Sequence, residues 1–111
     1  MVSINLDYLR RHSVPILYRS GVRYGRTKLW EPIPELYSRG FGDCKSLASA
    51  LTAEYKNKGI KARPVYRWIP NNYGGRDFHV LVETPERNGY QKKLFEDPSR
   101  ILGMGKLENR R

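Results

Sequence analysis

The chain has 111 residues, with 21 basic against 11 acidic side chains, a net charge of +10 and a pI near 10.0. That length gives room for one domain. Its 39% hydrophobic and 12% aromatic content excludes a disordered chain, and no apolar run approaches the roughly 20 residues of a membrane helix. The single cysteine excludes both an internal disulfide and a multi-thiolate zinc site. Met1 to Leu9 lacks the basic-then-apolar order of a signal peptide, so an intracellular chain is expected. The charge favours acidic partners, non-specific nucleic acid among them.

A short helix is predicted near residues 6–11, ended by Ser13-Val14-Pro15, and an extended piece near 22–24. Glu31-Pro32-Ile33-Pro34 predicts extended backbone, because proline disfavours the α conformation in the residue before it. A helical turn over 35–38 follows, and Gly40-Phe41-Gly42 breaks the chain. The clearest helix comes next, with Asp43 as N-cap and Gly59 just past its end. Cys44, Leu47, Ala48, Leu51 and Tyr55 form its apolar face, with Lys45, Thr52, Lys56 and Lys58 mostly elsewhere. Cys44 therefore sits in the first turn, directed toward the core.

Three strands are predicted after Gly59, over residues 61–69, 77–84 and 91–97, with a loop at 70–75 and a hairpin turn at 85–89 containing Asn88-Gly89. One helix followed by an antiparallel sheet is an α+β fold. A turn centred on Asn88 pairs Glu83 with Lys93, Leu81 with Phe95, and His79 with Asp97, all on one face. Each rung is then chemically sensible, whereas a slip by one residue sets Asp97 against Val80.

A thiol is a nucleophile as thiolate, a form favoured at a helix N-terminus and beside an imidazolium. Cys44 meets the first condition. His79 meets the second if its face of the sheet packs on the helix, with Asp97 holding the far ring nitrogen. Backbone N–H groups at Cys44 and just after it would form half of an oxyanion hole. Together these parts serve attack on an amide or thioester carbonyl. Taken singly, each has a plainer use: a buried thiol, a strand histidine, an Asp-Pro-Ser turn.

Gly42-Asp43-Cys44-Lys45-Ser46-Leu47-Ala48, Gly59 to Val65, Phe78-His79-Val80-Leu81-Val82 and Glu96-Asp97-Pro98 resemble successive blocks of the transglutaminase-like superfamily. The resemblance implies a papain-like core with Cys44, His79 and Asp97 as triad. It extends over 1–111 as one domain, with 1–40 a basic segment packing on a 41–104 catalytic-type core. Trp30 and Tyr37 are the candidates for the second oxyanion donor, on the pattern of relatives that use an upstream side chain. The implied activity is that of a thiol hydrolase or acyltransferase on an amide, with a protein or peptide substrate. No cofactor and no metal are expected.

A narrower likeness runs through Leu17 to Tyr24, Trp30, Ile33-Pro34-Glu35-Leu36, the Cys44 block and Glu96 to Met104, which are similar to small bacteriophage and prophage proteins. It implies a host-cytoplasm or virion location. It also leaves open a catalytically silent assembly protein that contacts other phage structural proteins. The chain departs from those proteins at Lys45-Ser46, where acidic residues are common.

Overall fold

A computed structural model describes residues 1–27, 29–70, 73–85 and 93–103. In chain order they form α1 (Val2–Arg11), a 3-10 turn (Leu17–Arg19), β1 (Arg23–Tyr24), α2 (Ile33–Arg39) and β2 (Phe41–Gly42). Then come α3 (Cys44–Asn57), β3 (Arg63–Pro70), β4 (Arg76–Pro85), β5 (Lys93–Glu96) and α4 (Pro98–Ile101). The fold is α+β, with the helix that opens at Cys44 packed on an antiparallel sheet of order β3-β4-β5.

The central helix begins where the sequence predicts. Asp43 Oδ1 accepts from Lys45 N at 3.1 Å and Ser46 N at 3.3 Å, and Gly59 takes the left-handed φ of +81° after its end. Its predicted apolar face is buried from Cys44 through Leu51, but burial does not stop there. Ser46, Ser49, Glu54 and Thr52, the last 0% exposed, are covered as well. The sheet holds one side of α3, while α1 and α4 also pack on it. Glu54 answers its own burial by accepting from Leu17 N at 2.6 Å, which ties the 3-10 turn to the helix.

Residues 31–34 are not wholly extended. Pro32 is (φ −70°, ψ 169°), but α2 starts at Ile33 and takes Pro34 into its first turn. Proline is tolerated there because first-turn N–H groups have no partner within the helix. The Ile33 N–H instead donates to Asn5 Oδ1 of α1 at 2.8 Å. Gly40, at φ +85°, ends α2, and β2 then pairs in parallel with β1, Tyr24 lying beside Gly42. A Cβ at Gly42 would stand 2.4 Å from Leu36 Cδ1, so any side chain there would force Leu36 to shift.

The β4–β5 register differs from expectation by two residues. Val82 lies opposite Glu96, Glu83 opposite Phe95 and Pro85 opposite Lys93. A shift of two preserves the alternation of faces, so His79 and Asp97 keep the same parity. They are no longer cross-strand partners, because the strand stops at Glu96 and Asp97 caps α4. The predicted turn at Asn88-Gly89 lies outside the described residues. Glu96 accepts from the hydroxyls of Tyr18 and of Tyr55 on α3, so the helix faces Val82 and Glu96. The aliphatic pair in the core is thus Val80 and Val82, and Leu81 is only half-buried.

Replacing Leu51 by Ala should cost about 2–5 kcal/mol of unfolding free energy in urea titrations. Ile4→Ala, at a position 59% exposed, should stay within about 0.5 kcal/mol of the parent.

Candidate active site

Cys44, His79 and Asp97 meet at one place. Cys44 arrives there as the first residue of α3, directly after the Asp43 cap. His79 comes from β4, and Asp97 from the junction of β5 and α4. The ring of His79 is buried, the residue being 2% exposed. Its Nε2 lies 2.8 Å from Asp97 Oδ2, and the Cys44 side chain is its other polar neighbour. With Nε2 facing the carboxylate, Nδ1 is the nitrogen left for sulfur.

Asp97 divides its two oxygens between two tasks. Oδ2 holds the imidazole, while Oδ1 accepts from Arg100 N at 3.1 Å as the cap of α4. The reading of Asp-Pro-Ser as a turn opening and the reading of Asp97 as a partner of His79 are therefore both realised by one side chain. Proline in the first turn after it fits α4 for the reason given for α2.

The electrostatics follow from these contacts. The hydrogen bond with Asp97, then the neighbouring Cys44, raise the pKa of His79 to about 9 against the opposing effect of burial. Burial pushes the Asp97 carboxyl upward. The His79 hydrogen bond and the Arg100 N–H outweigh it and hold the group below the ordinary carboxylate value. At neutral pH the ring is an imidazolium between a carboxylate and a sulfur.

The other predicted site residues lie elsewhere or face elsewhere. Tyr37 is not at the thiol: its hydroxyl donates to Pro15 O at 2.9 Å, and it neighbours Glu54. Trp30 lies against the first turns of α3, with Lys45 Nζ 5.8 Å from its ring centroid, but its indole N–H is directed to Ser49 Oγ at 3.4 Å. The cap has a similar consequence for the backbone. Asp43 takes the N–H groups of Lys45 and Ser46, which leaves that of Cys44 as the helix-start donor among the described residues. A residue the sequence did not single out, Tyr24, neighbours Cys44 and Arg26, both of which act on its hydroxyl electrostatically.

A family model described as the transglutaminase-like superfamily matches residues 7–92. The chain belongs to the transglutaminase-like superfamily. The matched span contains Cys44 and His79 and ends before Asp97. Two solved structures share the fold. One is the periplasmic domain of TgpA from Pseudomonas aeruginosa, bound to ethylmercury, with TM-score 0.58 and 21% identity over 93% of this chain. The other, from Cytophaga hutchinsonii, was described by name as a candidate cysteine protease, with TM-score 0.57 and 20% identity over 93% of this chain. This chain spans 45% and 32% of those two chains, respectively. No curated protein matches. Among the described residues no helix is long and apolar enough to cross a membrane, and no group of three His, Cys, Asp or Glu side chains is placed to hold a metal.

The raised His79 gives stability a definite pH dependence. The folded state binds this proton more tightly than the unfolded chain does. Its contribution is complete below about pH 6.5 and is lost as pH rises through about 9. Between pH 6.5 and 9 the unfolding free energy of the parent should fall by on the order of 2 kcal/mol relative to His79→Gln. Parallel curves for the two proteins would show that no such proton is held.

Proposed function

We propose that the protein is a cysteine-nucleophile hydrolase or acyltransferase acting on an amide of a protein or peptide. Cys44 is the nucleophile, His79 the acid–base group and Asp97 the carboxylate that orients the ring. The observation that carries this reading is a single buried imidazole hydrogen-bonded to Asp97 and neighboured by a thiol at a helix start. A module used only for packing has no need of such a pair, since taking two charges out of water costs several kcal/mol per ion before their attraction offsets it.

The chemistry proceeds in two halves. The Cys44 thiolate adds to the carbonyl carbon, and the carbonyl π pair moves onto oxygen. As the tetrahedral centre collapses, the His79 imidazolium gives its proton to the departing nitrogen, leaving a thioester on Cys44. The neutral ring then takes a proton from water, or from an acceptor amine, as that group attacks the thioester and releases sulfur. Asp97 favours the charged ring throughout and fixes which nitrogen faces sulfur.

The likeness of residues 17–24 and 96–104 to phage and prophage proteins supports a phage setting, in the host cytoplasm or the virion. Residues 1–111 are read as one domain whose 41–104 portion carries the chemistry. Contact with acidic partners through the +10 charge is a separable proposal.

Alkylation by iodoacetamide tests the reading. For the parent, the rate at pH 6 should lie within a few-fold of that at pH 8. In His79→Ala it should fall at pH 6 by about 100-fold, following the small thiolate fraction of an ordinary cysteine. Equal, slow alkylation of both proteins at pH 6 would favour the silent assembly protein.

A further inference from the structure

We propose that the Tyr24 hydroxyl is the second oxyanion donor at Cys44, paired with the Cys44 backbone N–H, an assignment that rests on the thiol reading above. The need for such a group comes from the cap, because Asp43 engages the N–H groups of Lys45 and Ser46. Of the side chains expected to supply it, Trp30 points its N–H at Ser49 and Tyr37 donates to Pro15.

Tyr24 is placed by backbone pairing. It lies beside Gly42, two residues before Cys44, in the parallel β1–β2 pair. Gly25 N donates to Gly42 O at 2.9 Å and Tyr24 N to Leu102 O at 3.0 Å, so the strand is anchored on both sides of the residue. The half-buried ring packs against the core cluster that includes Cys44. The neighbouring Arg26 guanidinium acts on its oxygen and polarises the phenol toward donation, which an oxyanion requires. Burial, then the neighbouring Cys44, hold the phenol above its ordinary value, and the proton stays on oxygen through the working pH range.

An ester and an alkyl halide separate this role from every other. Sulfur attack on p-nitrophenyl acetate forms the S–C bond while the carbonyl pair moves to oxygen. The C–O bond then breaks and p-nitrophenolate leaves as the anion, with no proton required. Iodoacetamide instead reacts by direct displacement of iodide at carbon and develops no oxyanion.

In Tyr24→Phe, acylation by p-nitrophenyl acetate should drop about 100-fold, with alkylation by iodoacetamide within about 3-fold of the parent across pH. Arg26→Met, which keeps the phenol but removes its polarising partner, should lower acylation by a smaller factor and again spare alkylation. Unchanged acylation in Tyr24→Phe would overturn the proposal. So would a parallel loss of both reactions, or a displaced pH profile of alkylation, each of which would mark an effect on the thiol itself. Slow alkylation already in the parent would remove the thiol reading and this role together.

Discussion

One carboxylate holds the centre of this molecule. Asp97 caps a short helix with one oxygen and grips the ring of His79 with the other, at 3.1 and 2.8 Å. A helix cap is worth roughly 1 kcal/mol, and an isolated buried charge costs far more than that. The imidazolium is tolerated because it is bracketed by Asp97 and Cys44. The chain has therefore to bring the end of β5, the start of α4 and the mouth of α3 to one point. The burial of α3 on nearly every side is the means: α1, α4 and the sheet are all packed on it, and they fix where its first residue lies.

A second layer of contacts keeps that arrangement in register. Glu96 is adjacent to Asp97 and accepts from Tyr18 and Tyr55, which locks the last residue of β5 onto α3. Glu54, also on α3, accepts from the backbone of Leu17. These carboxylates and phenols use hydrogen bonds where aliphatic packing would have served as well for stability. They constrain distance and direction as packing alone does not. Asp97 inherits its position from them, one residue further along the chain.

Much of this was legible in the sequence, for identifiable reasons. The start of α3 was readable because a cap, an apolar periodicity and a terminal glycine all agree. The union of His79 with Asp97 was reached through a register that was wrong by two residues. The helix packs on the Val80 and Val82 face and not, as expected, on the His79 and Leu81 face, so the union comes from neither rung nor parity but from Asp97 standing past the strand end at the cap of α4. Misplacement of the strand end had a different cause: Asp97 satisfies both a strand reading and a capping reading, and Pro98 decides for the cap. The start of α2 inside Pro32-Ile33-Pro34 was missed because its first N–H finds its acceptor in Asn5, a partner distant in sequence. Tyr24 left no signal at all. It gains its place from a two-residue parallel pairing with β2, which no local pattern announces.

The most direct measurement is the NMR titration of the His79 ring nitrogens in the intact chain. Nε2 should stay protonated through neutral pH and the ring should titrate near 9, falling toward the ordinary histidine value of about 6.5 when Asp97 is replaced by Asn. A ring that titrates near 6.5 in the parent and is indifferent to Asp97 would contradict this.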